Sequence, residues 1–513
     1  METRSGAASR VVLLLLAPLP LFGGAPDAWI PARWTGGPLE VEYRAKAGNL
    51  PPDRDLRETI AGWYDPATLD LLQGSPVNCL LVTWSAGAGD AVESRQWNLV
   101  RAYTAAAHRR GIAVLGMVYR GAEPDRFVPP ALEIRLDGLV LEGGFTDAVR
   151  SAMPGGQASL PVIAISRDPA ISRAALAPLA AVEGEWPGSR SLAEMGIRAG
   201  PSSQPWICSN IWLVRSFRFT DAWRPVWVGY PPAPAARPNY SRSVADAAVA
   251  GGRWIVTLDD GLRIRLRRHD ATALAAWTRI GDFLRFAEEH AEWRSFVPYG
   301  KLGVITDTAA PDDLASEYLK LLTRRQVPYR LVERSRLGET PFREFRALLA
   351  AGLAHLTETE RRLLLGFAEN GGLVVAGSAL GAVPPGQPLL ERTLGKGRTI
   401  LYRDPDPETV ARDMPEVLSL EEAGVIAFNV PSVITYASRE PGGSRILVQL
   451  LNYSDTPARN ITIRVSGHYH TARLFTPDSP AAVLAVGPGE GQSEVAIPSL
   501  GLWGGVLLEG KTP

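Results

Sequence analysis

The carboxylate of Glu142 comes directly after a short, mostly apolar run, residues 136–141, and directly before Gly143 and Gly144. This pattern is typical of a buried parallel strand that delivers one carboxylate to its carboxyl end. In barrels of parallel strands, the chemistry is carried out by residues at those ends. We therefore predict that Glu142 lies in a catalytic cleft. The alternative is that it caps a helix or pairs with an arginine.

Five further carboxylates follow predicted strands and are candidates for the partner of Glu142. Asp259 and Asp260 follow the run 253–258, Asp168 follows 161–165, and Glu183 and Glu185 follow 180–182. Cleavage of a glycosidic bond needs two carboxyl groups, one to protonate the leaving oxygen and one to act as nucleophile or to activate water. We favour Glu142 with Asp259 or Asp260, because glycines after both positions let a substrate approach the backbone; Glu185 is the substitute. The alternative for Asp259 and Asp260 is a tight turn, since Asp-Asp-Gly is ordinary turn sequence.

Aromatic and polar residues near the same predicted strand ends are candidates for contact with a substrate. Eleven of the fourteen tryptophans lie between Trp63 and Trp293, in the part of the chain that carries the candidate carboxylates. A flat indole ring can face the apolar side of a sugar, although large core side chains would give the same bias. The predicted substrate-binding residues are Trp84, Tyr119, Arg120, Trp186, Trp206, Asn210 and Trp212.

Strands alternate with helical segments over the first half of the chain. The predicted strands are 77–84, 112–119, 136–141, 161–165, 180–182, 225–229 and 253–258. This spacing indicates parallel α/β structure, and right-handed crossovers would curl it into a (β/α)8 TIM-type barrel of about eight strands. A long amphipathic helix near 271–293 would close it. The stretch before residue 53 is interpreted as a linker.

Two further units follow the barrel. Alternating strands and helices from residue 302 predict a small flavodoxin-like α/β unit, which lacks a phosphate-binding glycine loop, so no dinucleotide cofactor is expected. Seven short alternating strands after residue 416 predict an antiparallel β-sandwich. We expect domains at 26–298, 299–415 and 416–513.

The N-terminus carries a predicted secretory signal over residues 1–25. Arg4 and Arg10 precede or flank an apolar run that Pro18 and Pro20 interrupt, and small residues follow. The run is short for a membrane span, so we expect cleavage and export, with no membrane attachment afterwards.

Composition excludes several classes of partner and cofactor. The 54 basic and 54 acidic residues balance, so no nucleic acid or anionic membrane is expected. Two cysteines, Cys79 and Cys208, cannot form a disulfide framework; two buried thiols are favoured over a single bridge. The six histidines do not cluster, and HExxH, EF-hand and GxSxG motifs do not occur, so neither a metal nor a cofactor is expected.

Several phrases of the sequence resemble multidomain glycoside hydrolases of the β-galactosidase type. The phrases are residues 107–114, 136–142, 303–307, 369–375, 447–454, 474–478 and 497–503. The resemblance implies a barrel, a middle domain like that of glutamine amidotransferases, and a terminal β-sandwich. In the β-galactosidase-type enzymes this middle domain often serves trimer assembly. The middle domain contains no cysteine, so a structural or assembly role in a homo-oligomer is favoured over amidotransferase chemistry.

The sequence departs from that family where the general acid is expected. The Asn-Glu pair that usually presents this acid after the fourth strand does not occur, so neither carboxylate is carried over by motif. Our leading hypothesis is an exported glycoside hydrolase that acts on a poly- or oligosaccharide at the barrel mouth. The alternative is a catalytically inactive carbohydrate-binding or assembly protein on the same scaffold.

Overall fold

The computed structural model describes residues 24–153, 160–168, 171, 179–190, 206–220, 224–231, 238–307 and 313–510. The predicted secretory signal at 1–25 lies outside these residues except for its last two positions. Among the helices of the described ranges, none is long and apolar enough to cross a membrane.

The first sheet is a closed ring of parallel strands. They are β1 (Pro31–Arg33), β2 (Cys79–Ser85), β3 (Ala113–Val118), β4 (Gly138–Glu142), β5 (Val162–Ser166), β6 (Ala180–Glu183), β7 (Val226–Gly229), β8 (Arg253–Trp254) and β9 (Val256–Thr257). Each strand from β1 to β7 pairs with the next, and β9 pairs with β1. Only Ile255 separates β8 from β9, so together they fill one position. The predicted TIM-type barrel is confirmed.

Helices surround this ring, and side chains fill its interior. The described helices are α1 (Gly37–Lys46), α2 (Arg54–Ala61), α3 (Asp90–His108), α4 (Pro124–Glu133), α5 (Thr146–Ala152), α6 (Ile211–Thr220), α7 (Tyr240–Val249), α8 (Asp260–Arg267) and α9 (Ala271–Glu289). Strands β2 and β3 are buried along their whole length, because one face points into the barrel and the other packs on helices. The rings of Trp29 and Trp227 lie 6.4 Å apart in this interior.

The prediction of a linker before residue 53 is wrong. This stretch contains β1 and α1 and therefore begins the barrel. Strand β1 has only three residues, Pro31, Ala32 and Arg33, which is too short to show the alternation that identifies a strand. Its pairing with β2 on one side and β9 on the other closes the ring.

The second sheet has six strands and follows the short strand β10 (Val297–Pro298). Its strands are β11 (Leu302–Thr306), β12 (Tyr329–Glu333), β13 (Ala347–Ala350), β14 (Leu373–Ala376), β15 (Leu389–Leu394) and β16 (Gly397–Tyr402), in the order β12-β11-β13-β14-β16-β15. All neighbours are parallel except the β15–β16 hairpin, which the sequence did not predict. The helices are α10 (Asp313–Arg324), α11 (Glu358–Glu369), α12 (Pro407–Val417) and α13 (Leu420–Ala423). The predicted flavodoxin-like arrangement is confirmed.

Two antiparallel sheets complete the chain. Their strands are β17 (Val425–Phe428), β18 (Val433–Arg439), β19 (Arg445–Asn452), β20 (Ala458–Ser466), β21 (Tyr469–Thr476), β22 (Ser479–Leu484), β23 (Val486–Gly489), β24 (Gln492–Leu500) and β25 (Trp503–Gly510). One sheet has the order β10-β18-β19-β25-β21-β22 and the other β17-β20-β24-β23. Apolar residues from both sheets form one core between them, as the predicted β-sandwich requires.

Both cysteines lie in buried surroundings. Cys79 begins β2 inside the barrel, and Cys208 lies in the short strand Trp206–Cys208. No disulfide joins these two described thiols. Burial raises the pKa of the Cys79 thiol well above its usual value, so this thiol is kept protonated and unreactive.

Candidate active site

Five charged or phenolic side chains meet at the carboxyl end of the barrel. Arg33 is the last residue of β1, Tyr119 follows β3, and Glu142 ends β4. Glu40 and Arg44 lie one turn apart on α1, the helix that follows β1. We call this group the mouth cluster. Its members come from three strand ends and one helix, so the closure of the barrel is what brings them together.

Glu142 is bound by an arginine in this cluster. Arg33 Nη2 donates to Glu142 Oε1 at 2.5 Å, and the Glu142 side chain keeps 29% of its surface exposed. Burial acts to lower the pKa of Arg33, but the surrounding negative groups, with Glu142 first among them, outweigh burial and raise it. Arg33 therefore stays a cation. The contact is the arginine pair that the sequence left open as the alternative for Glu142.

Glu40 is the buried centre of the mouth cluster. Its carboxylate accepts hydrogen bonds from Arg44 Nε at 2.8 Å, Thr83 Oγ1 at 2.7 Å and Tyr119 OH at 2.8 Å, and its side chain is only 4% exposed. Burial acts to raise the pKa of Glu40, but the charge and hydrogen bonds of Arg44 and the Thr83 hydroxyl outweigh burial and lower it. Glu40 is thus an ionised carboxylate inside the protein, held by three donors.

Two glycines and a glutamine fix the start of the helix that carries Glu40 and Arg44. Gly37 has φ +82°, and a Cβ at this position would lie 2.3 Å from Gln96 Oε1, so only glycine fits. Gln96 accepts from Leu39 N at 3.2 Å and donates to Gly36 O and Thr83 O at 3.0 and 2.8 Å. These bonds tie the first turn of α1 to β2 and to α3.

Asp260 contacts the mouth cluster through Arg44 and is counted with it from here on, whereas Asp259 caps a helix. Arg44 Nη1 lies 2.9 and 3.1 Å from the two carboxylate oxygens of Asp260, whose side chain is 35% exposed. Asp259 caps helix α8 by accepting from Leu262 N at 2.9 Å, and it also accepts from Tyr240 OH at 2.6 Å. The Asp-Asp-Gly sequence is therefore a helix start rather than a tight turn.

Glu185 lies in a different group of contacts. Its carboxylate is 3.6 Å from Lys320 Nζ on α10, and its backbone N–H donates to Asn210 Oδ1 at 2.7 Å. Asn210 is buried and also donates to Asp246, so the predicted substrate contact of Asn210 is a structural hydrogen bond instead. The described contacts do not bring Glu185 to Glu142.

A buried carboxylate links this second group to the β-sandwich. Asp246 on α7 accepts from Ser209 Oγ at 2.6 Å, from Asn210 N at 2.8 Å and from Tyr453 OH. Burial raises the pKa of Asp246 despite these hydrogen bonds. The network holds the loop after the Trp206–Cys208 strand against both the barrel and the sandwich.

Two of the predicted aromatic contacts are buried in the core, which corrects their assignment to the substrate. Trp84 is fully buried in β2 and donates from Nε1 to Phe127 O at 3.1 Å. Tyr119 is fully buried, and its ring stacks on Tyr43 with 4.0 Å between centroids. Neither can present a ring face to a sugar. Tyr43, which is only half-buried, is the aromatic residue that reaches the surface at the mouth cluster.

Trp206 and Trp212 also have protein contacts where a substrate is predicted. The guanidinium of Arg324 lies 3.4 Å from the Trp206 ring, and both tryptophans pack against the core of the second sheet. They join the barrel to its neighbour, and because both side chains stay partly exposed, their contact with a substrate stays a prediction. The tryptophan pattern predicted exposed platforms because sequence alone does not reveal contacts between domains.

Trp186 and Arg120 remain as predicted substrate contacts near strand ends. Trp186 is partly exposed and makes edge-to-face contacts with Tyr240 and Trp254, at 5.7 and 5.4 Å between centroids. Arg120 is exposed and lies beside the mouth cluster, since a Cβ on Gly143 would be 3.1 Å from its Nε.

Four members of the site escaped the sequence prediction. They are Arg33, Glu40, Tyr43 and Arg44, and all lie in the stretch interpreted as a linker. Seven barrel strands were predicted, and a barrel of eight needs one more. The short stretch between Trp29 and Trp34, both buried, was the place to look for it. Within the described residues, no group of three or more His, Cys, Asp or Glu side chains is arranged to hold a metal.

The sequence matches no family model, and the search of curated proteins finds no match. Solved structures match in fold. The alpha-L-fucosidase isoenzyme 2 from Paenibacillus thiaminolyticus is 12% identical with a TM-score of 0.55, over 86% of this chain and 95% of that chain. A GH42 beta-galactosidase from G. stearothermophilus is 9% identical, with a TM-score of 0.49 over 96% of this chain and 99% of that chain.

A third solved structure, the exo-beta-1,4-mannosidase Op5Man5 from Opitutaceae bacterium strain TAV5, is 11% identical with a TM-score of 0.42. The alignment covers 77% of this chain and 95% of that chain. At such identities the fucosidase match shows a shared fold alone: this chain has a multidomain architecture like that of a glycoside hydrolase.

Proposed function

We propose that this protein is a glycoside hydrolase that cleaves a poly- or oligosaccharide at the mouth of its barrel. The observation that carries the proposal is the position of Glu142, which ends β4 at the carboxyl side of the closed barrel and keeps 29% of its side chain exposed. That side of the barrel is where enzymes of this fold keep their chemistry. Asp260, 35% exposed in the same cluster, supplies the second carboxyl group.

The contacts of the two carboxylates support different roles. Arg33 Nη2 donates to Glu142 Oε1, and we assign to Glu142 the role of the group that attacks the sugar or activates water. Arg44 divides its donors between Glu40 and Asp260. We assign to Asp260 the protonation of the leaving oxygen, which requires that a bound substrate separate it from Arg44 and that it first take up a proton from water.

The neighbours of this pair would position the sugar. Tyr43 is half-buried over the ring of Tyr119, and Arg120 is exposed beside Gly143. Both lie next to Glu142, where an aromatic ring and a guanidinium can contact the apolar face and the hydroxyls of a sugar. Trp186, which follows β6 and is partly exposed beside Tyr240, is a further proposed contact for the sugar.

The proposal also covers the location of the protein, its division into domains and its assembly. The pattern of residues 1–25 supports export to the periplasm or the medium. We propose units at 26–298, 299–415 and 416–513, with carbohydrate as the partner of the first. The middle unit resembles the domain that often serves trimer assembly in β-galactosidase-type enzymes and has no cysteine for amidotransferase chemistry, so we propose for it a role in homo-oligomer assembly.

A second candidate function is carbohydrate binding without cleavage. The observation that favours it is that both mouth carboxylates are engaged by arginines, Glu142 by Arg33 and Asp260 by Arg44. If these ion pairs persist in the complex, no carboxyl group is left to donate a proton. Sugar binding would then remain while hydrolysis was lost.

Assays of the wild type and two variants on aryl glycosides and polysaccharides separate the two functions. Glu142→Gln is expected to lower the rate by about 10²- to 10⁴-fold, the usual contribution of one acid–base group. Glu133→Gln, which alters an exposed glutamate paired with Arg101 on the outside of the barrel, serves as control and keeps the wild-type rate. If the wild type binds glycan but releases no product, the hydrolase proposal is wrong and carbohydrate binding without cleavage remains.

A further inference from the structure

A cavity of ≈ 220 Å³ lies at the carboxyl edge of the second sheet, away from the barrel mouth. Thr306 and Asp307 line it from the end of β11, and Gly352 and Leu353 line it from the loop after β13. Tyr318 of α10 forms another wall. The cavity therefore opens between the ends of two neighbouring parallel strands.

The order of the strands explains why this space exists. After β11 the chain crosses to β12 on one side, and after β12 it returns to β13 on the other side of β11. The chain thus continues from β11 to a strand on one side and from β13 to a strand on the other. In open α/β sheets, ligands bind in the crevice at such a reversal of strand order.

The walls of the cavity are apolar, and its rim is polar. Apolar side chains line most of it, namely Val304, Ile305, Leu314, Tyr318, Leu349 and Leu353. The polar groups are the Thr306 hydroxyl, the Asp307 carboxylate, the Arg334 guanidinium and the His355 imidazole. A few polar groups at the edge of an apolar cavity are the usual composition of a small-molecule site.

The charges at the rim select against ions. Arg334 donates from Nε and Nη2 to Glu360 at 2.7 and 3.1 Å, and this pairing lowers the pKa of Glu360 to about 2. Glu360 and Asp307 both act on Arg334 and raise its pKa, so an anion at this place would meet two carboxylates beside one guanidinium. A cation would in turn lie beside the guanidinium. A neutral ligand with both donors and acceptors fits this rim.

We propose that this cavity binds a neutral sugar of monosaccharide size. The hydroxyls of the sugar would donate to Asp307 and accept from Arg334, and its apolar face would pack on Leu314 and Leu353. The site is separate from the mouth cluster, and its existence does not depend on hydrolysis there. It would let the protein hold a second sugar, such as a product or another part of the same glycan.

Calorimetric titration of the full chain with D-glucose, D-galactose, L-fucose and D-glucuronate tests this site. Ala354→Trp places a large side chain at the cavity, since Ala354 is exposed and lines it, and it should weaken sugar binding by about tenfold or more. Ala382→Trp alters another exposed alanine of the same unit that does not line the cavity, and it keeps the wild-type affinity.

The double variant Glu142→Gln, Asp260→Asn distinguishes this cavity from the barrel mouth. It is expected to retain the binding that Ala354→Trp loses, whether or not the barrel hydrolyses anything. Absence of binding by every neutral sugar, or equal binding by the wild type and Ala354→Trp, overturns the proposal. Loss of all binding in the double variant also overturns it, because the sugar would then occupy the mouth.

The charged sugar tests the selection at the rim. D-glucuronate should bind more weakly than the neutral sugars, and Asp307→Asn should strengthen its binding by roughly threefold to tenfold by removing one nearby negative charge. Tighter binding of glucuronate than of glucose by the wild type would contradict the assignment of a neutral ligand.

Discussion

The barrel mouth and the carboxyl edge of the second sheet are both built from the ends of parallel strands, yet they are filled differently. At the mouth, Glu40, Glu142 and Asp260 are each in contact with Arg33 or Arg44, and charged side chains occupy the centre. At the second sheet, the strand ends leave a cavity of ≈ 220 Å³.

The difference comes from closure. In a closed barrel the strand ends form a ring around one axis, so side chains from β1, β3 and β4 meet there and their opposite charges pair. In an open sheet the loops at the reversal of strand order diverge, so that space remains between them. The mouth is thus organised around ion pairs, and the second sheet around an empty volume.

The largest expected effect is the loss of the buried carboxylate at the mouth. Glu40→Ala removes the acceptor of Arg44, Thr83 and Tyr119 and leaves Arg44 with one partner fewer in a buried site. The free energy of unfolding should fall by about 3–5 kcal/mol, the cost of breaking a buried ion pair from one side. Urea denaturation of the full chain measures it.

The matched control, Glu42, lies two residues later on the same helix. Glu42 also pairs with a cation four residues later, Lys46, at 2.8 Å, but this pair is on the surface. Glu42→Ala should cost less than about 1 kcal/mol. Equal losses for Glu40→Ala and Glu42→Ala would show that the mouth is not held by its buried charges.

Protonation of Glu40 should reproduce part of this loss. The pKa of Glu40 is lowered in the folded protein from an ordinary value of 4.5, so its contribution to stability is present above about pH 4.5 and is lost as the pH falls through the folded pKa. Glu40→Gln lacks this dependence. The gap in urea midpoint between wild type and Glu40→Gln should therefore narrow in acid, and a gap that widens would contradict the assignment.

A glycine at each edge gives the next comparison. Gly143 has φ +128°, and a Cβ there would lie 3.1 Å from Arg120 Nε, whereas a Cβ at Gly352 would meet only the Tyr318 ring, at 3.2 Å and with an ordinary φ. Gly143→Ala should cost about 1–3 kcal/mol through backbone strain. Gly352→Ala should change stability by less than about 1 kcal/mol. A larger loss of stability for Gly352→Ala than for Gly143→Ala, in thermal or urea unfolding, would contradict this difference between the two edges.

The smallest expected effect concerns the cavity. Ala354→Trp fills exposed space and disturbs no ion pair, so its free energy of unfolding should stay within about 0.5 kcal/mol of the wild type. A larger loss in urea denaturation would mean that the cavity is packed in the folded protein rather than open.

Most of the fold could be predicted from the sequence, because long buried strands leave a pattern. Strands β2, β3 and β4 are apolar runs ended by turn residues, and the sandwich strands recur at a regular spacing. Strand β1 left no such pattern, since Pro31 and Arg33 are unusual in a buried strand. Its place is imposed by the closure of the ring, which is a tertiary effect.

The site was predicted less well, for the same reason. Glu142 could be found because it ends a clear strand, and Asp260 because it follows one. Arg33, Glu40 and Arg44 were missed because they depend on β1, which is too short to show the alternation of a strand. The assignment of Trp84 to a substrate failed because burial in the folded core decides whether an indole ring is exposed.

Chemical rescue of Glu142→Ala tests the central claim most directly. Removal of the carboxylate should stop the release of the aryl group from an activated glycoside, and added azide or formate, which can occupy the vacated space, should restore it. The configuration of the azide product then identifies the face of the sugar from which Glu142 acts. Unchanged activity of a folded Glu142→Ala protein would contradict the account, as would an inactive variant that no small anion rescues.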